Sequence, residues 1–118
     1  MNADEQATTI ELDPAGVSEK QRDEPQLQLI DVREPYEREA GHLDDTRHIR
    51  LADLQQQAGT LPREHAIVFY CRTGSRSLMA AQAFRRAGFE AYSLAGGLQA
   101  WHDAGLPLDP PDGTVANH

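Results

Sequence analysis

The only cysteine of this 118-residue chain lies where an apolar strand meets a helix. The apolar run 66–70 is rich in β-forming residues and too short for a helix, so it predicts a buried strand that leads into Cys71. A short loop containing Gly74 follows, and the apolar residues of 80–87 then recur at helical spacing up to a stop at Gly88. In an open α/β sheet this order places the loop in the crevice at the carboxyl ends of the strands, where such folds bind ligands. The order therefore predicts that Cys71 lies at the mouth of a site.

The loop after Cys71 is suited to hold an anion. Backbone N–H groups of a tight loop that leads into a helix N-terminus can point inward, and the helix dipole adds to their field. Together with nearby arginines they favour a thiolate, so Cys71 is predicted to be nucleophilic. Arg72 and Arg76 offer planar, permanently charged guanidinium groups that fit oxyanions such as thiosulfate or phosphate. The competing hypothesis is an inert buried cysteine at a strand end, which the surrounding loop disfavours.

At these residues the chain resembles the rhodanese-like sulfurtransferases. The segment 71–76 is similar to their active-site loop, in which a cysteine opens six residues and an arginine closes them. The segment 29–43, where Asp-Val-Arg ends a strand and a Gly-His pair follows, is similar to their N-terminal signature, and 96–107 is similar to their C-terminal signature. The chain departs from the family's pattern at 44–50, where a small Gly-Ala turn usually leads to Asn-Ile-Pro. Three separated motifs in the family's order are far more specific than any one of them alone.

The resemblance implies the rhodanese-like fold, an α/β fold with a mostly parallel central sheet and helices on both faces. Strands that alternate with helices along the chain favour the same class. The resemblance also implies sulfur transfer: the catalytic Cys71 would take sulfane sulfur from thiosulfate or another donor, become a persulfide, and pass the sulfur to cyanide or a thiol. No organic cofactor is expected. The residues expected to bind the donor are Arg72, Thr73, Gly74, Ser75 and Arg76.

Two other classes of function stay open. The first is a persulfide carrier or interaction module for a protein partner, although family modules that have lost catalysis generally lack the cysteine. The second is a phosphatase or arsenate reductase, since related folds use a cysteine–arginine loop against phosphorus or arsenic oxyanions. In the resembling families, phosphatase-type loops hold one residue more than the four, 72–75, that separate Cys71 from Arg76 here. The shorter loop favours sulfur transfer.

Three polar residues of the N-terminal motif are expected to support the site rather than to react. Asp31 and Arg33 fall at the carboxyl end of the strand predicted at 26–32, so they should face Cys71 and hold the site in shape, most simply as an ion pair. His42 could form a nucleophilic pair with the cysteine. The loop N–H groups already suffice to activate the thiol, so a structural histidine is favoured. None of the five histidines has metal-ligand spacing with another histidine or with Cys71, so no metal is predicted.

Chain length predicts one domain. A chain of 118 residues that is 39% hydrophobic can bury one core of ordinary size and has no room for a second. We expect a single domain at 9–108, between a polar, flexible N-terminus at 1–8 and a flexible tail at 109–118 that is rich in proline and glycine.

Charge and hydropathy limit the partners. A net charge of −8 argues against nucleic acid, because phosphate binding needs a basic surface. No apolar run could span a bilayer, and the start of the chain lacks the features of a signal peptide, so neither a membrane nor export is expected. The expected location is the cytoplasm, where reducing conditions keep a thiol available. The expected partners are a small anionic sulfur donor and a thiol or cyanide acceptor, with a sulfur-accepting protein as a further candidate.

Overall fold

Five short parallel strands form the centre of the domain in the computed structural model, which describes residues 9–118. The predicted flexible segment 1–8 lies outside the described residues. The strands are β1 (Glu11–Leu12), β2 (Gln28–Asp31), β3 (Arg47–His48), β4 (Ile67–Tyr70) and β5 (Ala91–Leu94). They lie in the order β1-β5-β4-β2-β3, and every neighbouring pair is parallel. The carboxyl ends of β2 and β4 are therefore neighbours at one edge of the sheet.

Four helices connect the strands of the described chain, and a fifth follows β5. They are α1 (Pro14–Asp23), α2 (Pro35–Ala40), α3 (Leu54–Gln57), α4 (Ser75–Arg86) and α5 (Gly97–Asp103), and the 3₁₀ turns Leu51–Asp53 and Ala58–Thr60 flank α3. Proline begins both α1 and α2, where its missing N–H costs nothing. Within residues 9–118, no helix is long and apolar enough to cross a bilayer.

The sheet is covered on both faces. Alternate residues of a strand point to opposite faces, and β4 shows this directly: Ile67 and Phe69 belong to one buried apolar cluster, whereas Val68 and Tyr70 belong to another. Helix α4 contributes to the first cluster through residues such as Phe84, and α1 and α5 contribute to the second. This arrangement confirms the predicted α/β class with a parallel sheet between two helical layers.

The segment after Leu108, predicted as a flexible tail at 109–118, lies against the domain. His42 N–H donates to the Asp109 carbonyl (3.0 Å) and Asp109 N–H donates to the His42 carbonyl (2.7 Å), which makes an antiparallel bridge. Farther along, Thr114 N–H donates to the Ala40 carbonyl (2.8 Å). The segment therefore runs back along the end of α2, and its flexibility stays a prediction.

Candidate active site

The Cys71 thiol lies in a cradle formed by the loop between β4 and α4. Its Sγ atom accepts hydrogen bonds from the backbone N–H of Gly74 (3.1 Å) and of Ser77 (3.4 Å), and the Ser77 hydroxyl lies 3.4 Å away. The Cys71 side chain is fully buried. Hydrogen bonds to a charged acceptor are stronger than bonds to a neutral one, so two N–H donors and a nearby hydroxyl form a cradle whose shape suits an anionic sulfur species. The nucleophilic role of Cys71 stays a prediction.

The loop can turn its N–H groups inward because α5 binds its carbonyl groups from outside. Leu98 N–H donates to the Cys71 carbonyl (2.8 Å), and Gln99 N–H donates to the Arg72 carbonyl (3.0 Å). This approach needs a glycine at the start of α5, since a Cβ atom on Gly97 would lie 2.4 Å from the Arg72 carbonyl oxygen. Gly74 turns the loop into α4 with a φ of 106°, in the left-handed region that glycine adopts without strain.

Two buried serines complete the cradle, and the sequence reasoning missed both. Ser77 Oγ lies 2.7 Å from Ser93 Oγ, which can donate to it, and the single Ser77 hydrogen is shared between the Gly74 carbonyl oxygen at 3.2 Å and the Cys71 sulfur. Ser77 had a signal, because it stands on the first turn of a helix that begins at the cysteine loop. Ser93 had no local signal, since only the pairing of β5 with β4, Phe69 opposite Ser93, brings it to the site.

Arg76 forms a bidentate pair with Glu37, a residue that the sequence reasoning did not assign to the site. Arg76 Nη1 and Nη2 each donate to one Glu37 carboxylate oxygen at 2.9 Å, and the Glu37 side chain is fully buried. Glu37 Oε1 also accepts from Glu34 N–H (2.9 Å) as part of a capping box at the start of α2, a pattern readable from the sequence. The structure thus places Arg76 at the thiol cradle but with both Nη groups bound within the protein.

The charges of this pair stabilise each other. The hydrogen bonds and charge of Glu37 raise the pKa of the Arg76 guanidinium, and a charge on Cys71 raises it further. Burial alone would raise the pKa of Glu37, but the hydrogen bonds from Arg76 and the backbone of Glu34 hold it below its ordinary value. Both groups are therefore charged near neutral pH.

The remaining loop residues lie at the rim of the cradle. Arg72 is half-buried, and its Nη2 donates to the side-chain oxygen of Asn117 (3.2 Å). Its Nε is buried and makes no hydrogen bond within the part of the chain that the structure describes. Thr73 and Ser75 are exposed. Of the loop residues predicted to bind the donor, Gly74 contacts the sulfur, Arg76 pairs with Glu37, and the other three form the outer edge.

Asp31 and Arg33 form a fully buried ion pair at the carboxyl end of β2. Arg33 Nε and Nη2 donate to the two Asp31 carboxylate oxygens at 2.9 and 2.8 Å. Burial alone would raise the pKa of Asp31, but the hydrogen bonds and charge of Arg33 hold it below its ordinary value. Tyr70, at the end of β4, donates to Asp31 (3.2 Å), and burial together with the Asp31 charge raises the pKa of Tyr70 to about 12. The pair thus ties the end of β2 to the end of β4.

His42 lies beside this network. Its Nδ1 is 3.1 Å from the Arg38 carbonyl oxygen, and its Nε2 is 3.4 Å from an Asp109 carboxylate oxygen. These are the contacts of a histidine that fixes the chain, and the predicted supporting role of His42 stays a prediction. Among residues 9–118, no three histidine, cysteine or acidic side chains are grouped to hold a metal ion.

The fold and the loop together define the class of the domain: a parallel α/β sheet with a buried thiol at its carboxyl edge, contacted by loop N–H groups and flanked by arginines. The chain belongs to the rhodanese-like domain family, whose model matches residues 14–104. Membership confirms the resemblance read from the three motifs and supports sulfurtransferase function at the level of the family.

Individual relatives agree with this membership. The chain is 34% identical over 97 residues to YtwF of Bacillus subtilis (strain 168), an alignment that covers 82% of this chain and 94% of that protein. It is 30% identical over 104 residues to a protein of Allochromatium vinosum named sulfurtransferase, covering 87% and 97%. Among solved structures, a rhodanese-related protein from Thermoplasma volcanium superposes with a TM-score of 0.77 at 25% identity, covering 84% of this chain and 96% of that one.

Proposed function

We propose that this protein is a sulfurtransferase that carries sulfane sulfur as a persulfide on Cys71. The observation that carries the proposal is the set of donors around Sγ: the N–H groups of Gly74 and Ser77 and the hydroxyl of Ser77. Family membership and a relative named sulfurtransferase support the same reaction class. A persulfide is anionic at its outer sulfur, and fixed dipoles that favour one anion at this position can favour the next.

In the first half-reaction the Cys71 thiolate attacks the outer sulfur of thiosulfate. A new sulfur–sulfur bond forms to Sγ, and the sulfur–sulfur bond of thiosulfate breaks. Sulfite leaves with the electron pair of the broken bond, so one dianion enters, one dianion leaves, and the cysteine keeps its single negative charge as the persulfide. We expect the positive charges of Arg72 and Arg76 to stabilise the entering and leaving anions. Arg72 supports this role because it lies at the rim and its guanidinium contacts a neutral amide, whereas that of Arg76 is bound to Glu37.

In the second half-reaction a thiophilic acceptor removes the outer sulfur. Cyanide attacks that sulfur through carbon, thiocyanate leaves, and the Cys71 thiolate is restored. A thiol acceptor would accomplish the same transfer and give a persulfide of the acceptor. The nucleophile, the hydrogen-bond donors to the sulfur and the positive charges of this proposed cycle all lie in the loop and the first turn of α4.

The direct test is the intact mass of the protein after thiosulfate treatment. We expect the mass to rise by one sulfur atom and to return to its starting value after cyanide, and we expect Cys71→Ser to show neither change. Cys71→Ser keeps the size of the side chain and removes the nucleophile, so it serves as the matched control. Sulfurtransferase activity retained by Cys71→Ser would disprove the mechanism.

Aryl phosphate is the control substrate for the competing phosphatase hypothesis. With four residues between Cys71 and Arg76, the thiol and the loop donors enclose a small ring, and a tetrahedral phosphate would sit too far from the nucleophile, where ~1 Å of misplacement can cost ~10²-fold in rate. We expect thiosulfate:cyanide sulfur transfer and negligible phosphate hydrolysis. Phosphatase turnover that depends on Cys71 and exceeds sulfur transfer would overturn the proposal.

A further inference from the structure

The C-terminal segment 113–118 reaches the rim of the cysteine cradle. Asn117 makes two contacts there: its backbone carbonyl accepts from the Tyr36 hydroxyl (3.2 Å), and its side-chain oxygen accepts from Arg72 Nη2 (3.2 Å). Asn117 therefore adjoins Arg72, the residue that follows the thiol.

The approach of this segment is set several residues earlier. The chain runs past the end of α2 so closely that a Cβ atom on Gly41 would lie 2.5 Å from the Thr114 carbonyl oxygen. A Cβ atom on Gly113 would likewise lie 2.9 Å from the Ala40 carbonyl oxygen. Val115 then packs against the apolar cluster that α1 and α5 share. Two glycines and one apolar anchor thus direct the chain toward Arg72.

The edge of the Arg72 guanidinium that contacts Asn117 carries the Nε and Nη2 donors, and it is suited to bind an oxyanion. The parallel Nε and Nη2 donors of an arginine can bind both oxygens of one oxyanion, and Arg33 uses this edge on Asp31. In Arg72 the Nε of the same edge is buried without a hydrogen bond among the described residues, and Nη2 contacts a neutral amide. Asn117 therefore accepts from only one of the two donors on this edge, whereas an oxyanion would accept from both.

We propose that Asn117 competes with the anionic sulfur donor for Arg72, which makes the C-terminal segment a determinant of donor specificity. The inference rests on the proposed function. A dianion such as thiosulfate gains charge-assisted bonds to both Nε and Nη2 when it displaces the amide, whereas a neutral donor gains no comparable bond. Arg72 thus favours small dianionic donors over neutral ones, and Asn117 sets how strong that preference is, because a dianion must displace the amide whereas a neutral donor does not use Arg72.

Two substitutions at Asn117 change this competition in opposite directions. Asn117→Asp has nearly the same shape and adds a charge that pairs with Arg72, so we expect the KM for thiosulfate to rise by about two- to five-fold, the usual strength of an exposed ion pair. Asn117→Ala removes the competing oxygen, so we expect KM to fall by about two-fold. The value of kcat should change less than KM, because Asn117 does not contact the sulfur.

A second readout does not depend on sulfur transfer. Iodoacetate and iodoacetamide both alkylate a free thiol, and iodoacetate carries one additional negative charge. The rate of Cys71 alkylation by iodoacetate divided by the rate by iodoacetamide therefore reports how strongly Arg72 attracts an anion. We expect this ratio to be highest in Asn117→Ala, intermediate in the unmodified protein and lowest in Asn117→Asp. Thermal unfolding of each variant checks that the fold is retained.

Two control variants distinguish the specific contact between Asn117 and Arg72 from the general effect of a negative charge on the C-terminal segment. Thr114→Asp adds the same charge to an exposed position of the same segment and should leave the rate ratio nearly unchanged, and Arg72→Met should abolish the difference between the Asn117 variants. An equal effect from Thr114→Asp, or an effect of Asn117→Asp that persists with Arg72→Met, would overturn the inference.

A rate ratio that follows the expected order without thiosulfate turnover would disprove only the proposed function. Turnover with an unchanged ratio would disprove only the role of Asn117.

Discussion

Two loops at the same edge of the sheet both direct backbone N–H groups at a side-chain acceptor, but the acceptors differ. The loop after β2 directs Arg33 N–H to the Asp31 carboxylate (3.0 Å) and Glu34 N–H to the Glu37 carboxylate (2.9 Å). The loop after β4 directs the N–H groups of Gly74 and Ser77 to the Cys71 sulfur. In the first loop the anions are permanent, so the loop is a rigid support. In the second the acceptor is the Cys71 sulfur, which carries the transferred sulfur in the proposed function, so the loop is the candidate site.

The two loops are joined by the bidentate contact of Arg76 with Glu37. Glu37 belongs to the helix that follows the first loop, and Arg76 to the helix that follows the second. Because the pair is bidentate and Glu37 is buried, the position of the cysteine loop depends on the neighbouring one. Substitutions in the first loop should therefore act mainly on stability, and those in the second mainly on sulfur chemistry.

The largest effect is expected from breaking the support. Asp31→Asn keeps the shape of the side chain but leaves the buried Arg33 guanidinium without a counter-charge. Removing one partner of a buried ion pair typically costs about 3–5 kcal/mol, and we expect a loss near the lower end because the amide can still accept one hydrogen bond. Urea unfolding measures the change in the free energy of unfolding.

The exposed pair of Arg50 and Asp53, with an N···O distance of 3.0 Å, is the matched control. Asp53→Asn should destabilise the protein far less, because exposed ion pairs contribute little. Equal losses in the two variants would contradict the distinction between the buried pair and the exposed one.

The pH dependence of stability adds a second check on Asp31. Arg33 holds the pKa of Asp31 below its ordinary value of about 3.9. The contribution of Asp31 is therefore fully present above that value and is lost as the pH falls through the folded pKa, so Asp31→Asn should flatten the acid limb of the stability curve.

The next effect concerns the link between the two loops. Arg76→Lys keeps the positive charge near the thiol but loses the planar fork that binds both Glu37 oxygens. We expect the kcat/KM for thiosulfate to fall by an amount equivalent to about 1.5–3 kcal/mol, the value of a charge-assisted hydrogen bond. Steady-state kinetics of Arg86→Lys, an exposed arginine in the last turn of the same helix, provide the control. Unchanged constants for Arg76→Lys would show that the fork does not matter to the site.

The sequence was sufficient for those features that one segment encodes. The run of β-formers before Cys71, the glycine after it and the helical spacing beyond predict the cradle without any tertiary information, and the three motifs predict the fold. Partners contributed by distant elements were not predictable in the same way. Ser93 reaches the site only through strand register, and Asn117 only because Gly41 and Gly113 let two chain segments approach closely. Arg76 was predicted as an anion-binding residue, and nothing in its own loop indicates that a buried glutamate elsewhere occupies its Nη groups.

The smallest effect is expected at the hydroxyl that completes the cradle. Ser77→Ala removes the hydroxyl that lies 3.4 Å from Sγ but keeps the backbone N–H of residue 77. A single hydrogen bond is worth about 1 kcal/mol, so we expect about a five-fold fall in both the kcat/KM for thiosulfate and the rate of Cys71 alkylation by iodoacetamide at pH 7.

Ser93→Ala sharpens this prediction because Ser93 acts only through Ser77. Ser93 Oγ contacts Ser77 Oγ at 2.7 Å, and without it the Ser77 hydroxyl keeps its contact with the Gly74 carbonyl oxygen but loses the one with Ser93. The loss in Ser93→Ala should therefore be smaller than in Ser77→Ala, and the double variant should lose no more than Ser77→Ala alone, since the two residues act in series. Ser18→Ala, on α1, controls for the removal of a serine hydroxyl far along the chain from the cradle. Additive losses at Ser77 and Ser93 would show that the two hydroxyls act independently, and the hydrogen-bonded relay to the sulfur would then be wrong.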